Sequence, residues 1–457
     1  MEKEKKKAEE KKKEITHHVG KGLPVFNPHA AGIDIGDTEH FVAFSDDANG
    51  YVVKRYDAFT DDLRSIVNDL KEAGITTVAM EGTGVYWLVL YLLLEEAGIE
   101  PYLVNAKHVK NVTGRKKDDT DAIWIQKLHT CGLLHKSFQP DAEFRILRTY
   151  VRQRKNLILI SSDSVRRMQK ALELMNLKIH TVISDLLGKT GMKMVQAILS
   201  GERDAAILAE LRDPRIQASE EEIIKSLVGI WKDEYVFMLQ QAYDEYCFYQ
   251  KQIKECEEKI KEQLFKQVAI VKEGDISCLD GKVELKKKPK KNQLGFNLSP
   301  FLQELTGVDL CKIPAMGEVT ILEFISETGV DMGKWKNHKH FAGWLNLAPN
   351  TKVSAGKTIS SRVMKKKNKA GQSLKMGAST LSRSKTPLGD YSRRMRAKYG
   401  GKGAALATAH KISRIIYTMI KEQKEYNPDL MYDSQEKAKQ QKIKRLEKQL
   451  ERLKRVA

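Results

Sequence analysis

Between residues 31 and 140 the spacing of hydrophobic positions switches repeatedly between two periods. Short apolar stretches that suit β-strands alternate with longer stretches of helical spacing. The strand-like stretches are GIDI, HFVAF, YVVKRY, TTVAM and PYLVN, and the helical ones are DDLRSIVNDLKEAG, GVYWLVLYLLLEEAG and residues 117–131. A hairpin followed by α/β units predicts a mixed sheet covered by helices.

Residues 145–265 have helical periodicity, with shorter helices expected from Thr181 to Trp231. From Tyr235 onward, apolar side chains recur at spacings of four and three, which is a heptad pattern and predicts a coiled-coil arm. The seam of this arm consists of Tyr235, Leu239, Ala242, Tyr246, Tyr249, Ile253, Cys256 and Ile260.

These patterns divide the 457 residues into six segments. They are a charged tail (1–30), an α/β domain (31–140), a helical linker with the coiled-coil arm (141–269), a basic insertion (270–299), a mainly helical second domain (300–426) and a charged C-terminal helix (427–457). The insertion is rich in Lys and Gly and contains KKKPKK, so we expect it to be mobile. The seam of the closing helix is too short to be stable alone.

The net charge of +19 is informative because of its location. Between Lys336 and Lys421 there are 20 Lys or Arg residues and one acid, Asp390, so this basic block alone carries +19. A block of one sign suits a surface that binds a polyanion, since each phosphate neutralised releases a counterion. A solvated basic tail is the alternative, but apolar residues run through the whole block.

Several classes of protein do not fit the sequence. No run of about 18 apolar residues could span a bilayer, and the start of the chain lacks the apolar core of a signal peptide. The five cysteines form no CxxC pair, which argues against a zinc site or a disulfide framework. We therefore expect a soluble, reduced, cytoplasmic protein with no membrane partner.

Four carboxylates occupy positions that suit a metal site. Asp34 lies in the strand GIDI, on the face opposite its flanking isoleucines. Glu81 ends the strand VAM, at the strand end where ligands of α/β sheets usually gather. Asp118 and Asp121 are three residues apart at the start of a helix and therefore share a face. A pair of Mg²⁺ (or Mn²⁺) ions about 3.5–4 Å apart could bind these carboxylates and clamp a phosphodiester.

Each carboxylate also has a simpler explanation. Asp118 could cap its helix, and Glu81 could be an ordinary turn residue. Asp34, inside a strand, is harder to explain in this way. An acid on the first strand, another at a later strand end and two on the following helix make a ribonuclease-H-like arrangement, which predicts a metal site that acts on phosphodiesters.

Several motifs, in order, resemble those of the insertion-sequence 110 family of transposases, in forms closest to its 1111 subgroup. GIDIGDTEHFVAF, EGTGVYW and KKDDTDAIW resemble its RuvC-like domain, and IPAMGEVTILEFISETGVDM and HFAGWLNLAPNTKVSAGK resemble its C-terminal transposase domain. The resemblance spans about residues 31–425. It implies that Asp34, Glu81, Asp118 and Asp121 are catalytic and bind the metal.

The resemblance also implies a serine nucleophile in NTKVSAGK, and it falls on Ser354. The usual family form is Ser-Gly-Gly-Lys, and here Ala355 replaces the first glycine. From the residues alone, Ser354 is one of several serines in a polar loop, and no His–Asp pair is evident nearby to accept its proton. The metal site, brought to it by folding or by a partner subunit, is the candidate activator.

Ten cations that follow Ser354 are candidate contacts to nucleic-acid phosphates, and some could offset charge in the transition state. They are Lys357, Arg362, Lys365, Lys366, Lys367, Lys369, Arg393, Arg394, Arg396 and Lys398.

The resemblance implies a DNA recombinase of a prokaryotic mobile element, acting at the nucleoid. Ser354 would cut a DNA strand through a transient phosphoserine link, and a bridge RNA would choose both DNAs. Subunits would pair, as a dimer or tetramer, so that one chain's carboxylates meet another's serine. The alternatives are a metal-dependent nuclease or junction resolvase that uses water, and a non-catalytic nucleic-acid-binding protein. The intact carboxylate set argues against the last.

Overall fold

The computed structural model describes residues 18–19, 23–46, 50–82, 84–105, 118–285, 287, 289, 291–364, 367–429, 440, 443 and 447, without the side chains of residues 18–19, 23, 46 and 118–120. Contacts divide the chain into two compact units, residues 1–139 and 140–457. Most of the predicted charged tail and of the predicted C-terminal helix lies outside the described residues.

A five-stranded mixed sheet forms the centre of the N-terminal unit. In sheet order its strands are β5 (Gly50–Asp57), β4 (Glu39–Asp46), β3 (Ala30–Ile35), β6 (Thr77–Glu81) and β7 (Glu100–Val104). Earlier in the chain, β1 (His18–Val19) and β2 (Leu23–Pro24) form a separate two-stranded sheet. β3, β4 and β5 are antiparallel neighbours, whereas β3, β6 and β7 run parallel. This is the predicted hairpin followed by α/β units, and it confirms the ribonuclease-H-like fold class.

Helices cover both faces of this sheet. α1 (Thr60–Glu72) and α2 (Trp87–Glu96) pack on the face that carries Ile33 and Ile35. α3 (Asp118–Thr130) packs on the opposite face, where its apolar residues meet Ala79 and Val104. Successive side chains of β3 and β6 therefore point to two opposite buried faces, as expected for a sheet covered on both sides.

The C-terminal unit begins with two long helices, α4 (Ala142–Leu174) and α9 (Asp233–Val271). They run antiparallel, since Gln263 bonds Glu143 near one end of the pair and Arg167 pairs with Glu245 near the other. Four short helices pack beside this pair around a shared apolar core. They are α5 (Ile179–Val182), α6 (Lys189–Leu199), α7 (Ala205–Glu210) and α8 (Glu220–Leu227).

The predicted heptad seam is the face of α9 that lies against α4. Leu239, Ala242, Ile253, Cys256 and Ile260 are buried along it. The coiled-coil arm is thus an antiparallel helix pair within one chain, and the seam itself is covered.

The basic insertion is tied down at its C-terminal end, which differs from the expectation of a mobile segment. The Arg154 guanidinium, on α4, donates hydrogen bonds to the carbonyls of Asn292 (3.0 Å) and Gln293 (3.2 Å). Glu257, on α9, accepts from the backbone N–H of Gly295 at 2.9 Å. Apolar side chains, including that of Phe296, are buried just beyond these contacts.

The remainder of the unit is mainly helical, as predicted. Its helices are α10 (Ser299–Thr306), α11 (Glu318–Thr328), α12 (His338–Trp344), α13 (Lys369–Thr380) and α14 (Pro387–Glu422). α14 is kinked at Gly400, whose φ of 72° and ψ of 179° are not helical. A two-stranded hairpin of β8 (Lys352–Ser354) and β9 (Lys357–Ser360) lies between α12 and α13.

The structure also bears on the cysteines and on membrane-spanning segments. The cysteines at the five described positions are all free thiols. Within the described ranges, no helix combines the length and apolar character needed to cross a bilayer.

Candidate functional site

Asp34 and Glu81 lie at neighbouring positions in adjacent parallel strands. Ile33 of β3 is in register with Met80 of β6, so the next residue of each strand is one of the two acids. Glu81 is the last residue of its strand. Both carboxylates are half-buried at the carboxyl end of the sheet, which is where open α/β sheets usually bind ligands.

Both acids also point to the same side of the sheet. Ile33 and Met80 belong to the core beneath α1 and α2, whereas Ala79 belongs to the core beneath α3. Because side chains alternate along a strand, Asp34 and Glu81 fall on the α3 face. The predicted separation of Asp34 from its flanking isoleucines is what the structure has.

Gly32 allows α3 to lie directly on β3. A Cβ atom at this position would stand 2.3 Å from the backbone nitrogen of Gln126 and 2.5 Å from the carbonyl oxygen of Ala122. Any side chain here would therefore force the helix away from the strand. Since Gly32 is two residues before Asp34 on the same face, the helix passes close to the acid.

The direction of α3 brings its first turn toward the same strand ends. Its last residue, Thr130, accepts hydrogen bonds from the backbone N–H groups of Phe26 (2.8 Å) and Asn27 (3.0 Å), before β3 begins. The Gln126 side chain reaches the Ala30 carbonyl. The helix therefore runs antiparallel to β3, and its N-terminal turn lies toward the Asp34 end.

Asp121 lies in that first turn and is half-buried. Ile125, one turn later on the same helix face, is buried against the sheet. Among the side chains that the structure describes, no three Asp, Glu, His or Cys residues are close enough together to hold a metal ion. Asp118 begins α3, but its side chain lies outside that description. The donor chemistry fits a hard divalent cation, because Mg²⁺ and Mn²⁺ prefer carboxylate oxygens.

Ser354 ends β8 in the C-terminal unit, directly opposite Lys357 of β9. Ala355 and Gly356 form the turn between them, with φ of 47° and 74°. Positive φ at both positions is what a type I′ hairpin turn requires. The replacement of a glycine by Ala355 therefore falls where an L-residue is strained, and the turn forms nonetheless.

The Ser354 side chain is exposed, as are those of its neighbours in the hairpin. Among the described residues, no group makes a hydrogen bond to its hydroxyl. The base of the hairpin is held by a bond from the Asn350 backbone N–H to the Arg362 carbonyl (3.1 Å). The hairpin thus presents a hydroxyl and the Lys357 ammonium side by side, without a general base from its own unit in the described part of the chain.

The predicted cations are mostly on the surface, and they differ in their partners. Arg393 is engaged by Asp390 and by the carbonyls of Ser382 and Ser384. Lys365 and Lys366 lie outside the described residues. The others have exposed side chains: Lys357, Arg362, Lys367, Lys369, Arg394, Arg396 and Lys398.

Residues of α4, which sequence reasoning missed, extend this positive surface. The Lys369 residue is exposed overall, but partial burial of its ammonium lowers its pKa, and the nearby charges of Arg152, Lys155 and Arg148 lower it further. Arg152 is held by Glu327 (2.7 Å) and Lys155 by Glu323 (2.7 Å). Basic residues at helical spacing along α4, at positions 145, 148, 152 and 155, were the sequence signal for this surface.

Comparison with known proteins gives two family matches. Residues 31–177 match a transposase family defined by the IS110 DEDD domain, and residues 309–393 match the IS116/IS110/IS902 transposase family. The chain belongs to the IS110 family of transposases. The first match of this transposase contains the four carboxylates, and the second contains Ser354. A search of curated proteins finds no match.

Proposed function

We propose that this DNA transposase cuts and rejoins DNA through Ser354, with Asp34, Glu81, Asp118 and Asp121 holding Mg²⁺ or Mn²⁺. Its family membership makes it an enzyme that cleaves and recombines DNA. The observation that carries the finer proposal is the convergence of Asp34, Glu81 and the first turn of α3 at one edge of the sheet.

In the proposed step, the Ser354 oxygen attacks the scissile phosphorus. A serine–phosphate ester forms, the bond to one deoxyribose oxygen breaks, and the hydroxyl proton is transferred to that leaving oxygen. A later attack by a DNA hydroxyl on the same phosphorus reverses these changes and joins a new pair of ends. In this proposal Lys357, which pairs with Ser354 in the hairpin, neutralises a non-bridging phosphate oxygen.

The carboxylates have a separate role in this proposal. A bound divalent ion would supply Lewis-acid stabilisation of the phosphate and lower the pKa of an attacking hydroxyl or water. Asp34 and Glu81 fix the site to the rigid sheet, and Asp121 adds a ligand from α3. Because the Ser354 hydroxyl lacks a described base, we propose that it becomes active only when the carboxylate site of this or another subunit approaches it.

Two partners follow from the same proposal. We propose a bridge RNA that selects the DNAs, and a homo-oligomer, dimer or tetramer. The oligomer is supported by α2, which exposes apolar side chains at Leu88, Val89 and Leu92, next to exposed Val85. Contiguous exposed apolar residues usually mark a protein interface.

Light scattering tests the oligomer. It should show self-association that Val89→Lys weakens. A wild-type chain that is monomeric both alone and with RNA would reject the oligomer.

A second candidate function is a metal-dependent nuclease that uses water. The observation favouring it is that strand register alone brings Asp34 and Glu81 together, with no contribution from Ser354. The Ser354 hydroxyl makes no described hydrogen bond. In that case the hairpin would only grip DNA.

An adduct assay separates the two. Protein, guide RNA and end-labelled DNA are incubated with Mg²⁺ and resolved on a denaturing gel. We expect a protein–DNA adduct that is lost in Ser354→Ala and retained in Ser361→Ala, an exposed serine a few residues away. Asp121→Asn should also prevent the adduct. Cleavage without an adduct, unchanged in Ser354→Ala, would establish the water mechanism instead.

A further inference from the structure

A cavity of about 360 Å³ lies between the start of α12, the last turns of α14 and the chain that follows α14. Neither Ser354 nor any of the four carboxylates lines it. Its lining comprises His338, Lys411, Arg414, Ile415, Thr418, Met419, Glu422, Lys424, Glu425, Tyr426 and Asn427.

Two cations of this cavity have no counterion among the described residues. Lys411 and Arg414 make no ion pair with any residue that the structure describes, and burial and the nearby charges of Arg414 and Lys339 lower the pKa of His338, which favours its neutral form. The acids of the lining are already used: Glu422 pairs with Lys424 at 3.0 Å, and Glu425 pairs with a lysine outside the cavity, Lys312, at 3.2 Å. Two basic residues of α4 differ, since Arg152 pairs with Glu327 and Lys155 pairs with Glu323.

The unpaired positive charges of Lys411 and Arg414 therefore lie near each other in this cavity. Burial lowers the pKa of Lys411, and the Arg414 charge lowers it further. Burial also lowers the pKa of His410, which is affected by Arg414 and His338. Lys411 is half-buried and Arg414 is exposed, and neighbouring like charges repel each other unless an anion compensates them. The lining thus has the electrostatics of an anion site.

The lining also contains apolar and aromatic side chains. Met419 is buried and Ile415 is half-buried, and the Tyr426 ring is half-buried beside them. A cavity that combines cations with apolar and aromatic walls matches a nucleotide, whose phosphate needs the cations and whose base needs a flat apolar contact. A phosphate alone would not need the apolar and aromatic residues, and an apolar ligand would not need the cations.

We propose that this cavity binds one unpaired nucleotide of a nucleic-acid single strand. Lys411 and Arg414 hold its phosphate, and Tyr426, Met419 and Ile415 contact its base. The inference extends the proposed action on nucleic acid, but it requires neither Ser354 nor the carboxylates. DNA and RNA single strands share the recognised groups, and separate probes distinguish them.

The test measures binding by fluorescence anisotropy with the full-length chain in EDTA, so that no cleavage occurs. The probes are labelled ten-nucleotide oligo(dT), oligo(U) and a duplex of equal length. The test variant is Lys411→Gln/Arg414→Gln. The matched control is Lys385→Gln/Arg383→Gln, which removes one Lys and one Arg charge from exposed positions of the same basic block.

We expect the test pair to lose at least tenfold more single-strand affinity than the control pair, for whichever strand is the natural ligand. Tyr426→Ala should lose about fivefold or more for single strands, since stacking contributes at this scale, while duplex affinity is unchanged. Equal losses in the test and control pairs would overturn the proposal, as would equal loss for the duplex. The adduct assay is independent, so either proposal can fail alone.

Discussion

At the scale of single residues, Ala355 adjoins the proposed nucleophile and strains the hairpin that carries it. It occupies the first turn position after Ser354 with a φ of 47°, where an L-residue costs roughly 1–2 kcal/mol relative to the right-handed region. We predict that Ala355→Gly stabilises the hairpin by up to about 1 kcal/mol. Ala355→Val should destabilise it, because β-branched residues rarely adopt positive φ.

Trypsin cleavage after Lys352 and Lys357 reports this difference. The Val variant should be cut faster than wild type and the Gly variant more slowly. Ala355→Asn serves as the control, since Asn tolerates positive φ and should stay close to wild type. Equal cleavage rates for the Gly and Val variants would show that the turn does not limit the hairpin.

His129 makes the N-terminal unit sensitive to acid. It is buried on α3, with its Nε2 atom 2.9 Å from the Thr77 hydroxyl, and burial lowers its pKa to about 4. The unfolded chain binds a proton near pH 6.5 and the folded chain does not. Stability is therefore complete above pH 6.5 and declines by up to about 3 kcal/mol as the pH falls toward 4.

Urea unfolding of the N-terminal unit from pH 7 to pH 4 measures this loss. The pH slope of wild type should exceed that of His129→Gln, whereas His29→Gln, at an exposed position, should keep the wild-type slope. If His129→Gln keeps it too, the acid sensitivity comes from other groups.

Between elements, the contact of α3 with β3 is the most demanding one. A methyl group at Gly32 would overlap the α3 backbone, and overpacking of this kind costs roughly 1–3 kcal/mol or more. We predict that Gly32→Ala lowers the free energy of unfolding by this amount and reduces DNA cleavage, because Asp121 moves with the helix. Gly401→Ala, with no atom within 4 Å, should have no such effect on unfolding in the same urea titration. Unfolding of Gly32→Ala at the wild-type midpoint would contradict the close contact.

The pairing of α4 with α9 depends on a buried ion pair. The Arg154 and Glu257 side chains are 2.7 Å apart and almost fully buried. Glu257→Ala should cost about 3–5 kcal/mol, since it leaves a buried guanidinium without its carboxylate. Arg154→Met/Glu257→Met should recover part of that loss, because no unpaired charge remains. A loss below about 1 kcal/mol for Glu257→Ala in urea unfolding would show that water replaces the carboxylate.

Local pattern predicted the elements better than it predicted what covers them. The strands and helices of the N-terminal unit follow their hydrophobic periods, and the seam from Leu239 to Ile260 is buried as its heptad spacing predicts. That the seam faces α4 of the same chain, and that Arg154 anchors Asn292, depends on contacts between residues that are 103 positions (Arg154–Glu257) and 138 positions (Arg154–Asn292) apart. No local pattern encodes such contacts. The site residues remain predictions, although the register of Ile33 with Met80 gives Asp34 and Glu81 a shared location.

For the whole molecule, charge distribution predicts how DNA affinity responds to salt. Since Lys336–Lys421 carries essentially the entire net charge of +19, its exposed cations should provide most phosphate contacts. Each contact contributes about −0.9 to the slope of log K against log salt on duplex DNA. We predict that Lys367→Gln and Lys369→Gln each reduce that slope by about 1. Lys259→Gln, which removes a lysine paired with Glu262 outside the block, should leave it unchanged. Equal slopes for all three variants in filter-binding titrations would place the DNA surface elsewhere, because only a cation that displaces a counterion can alter this slope.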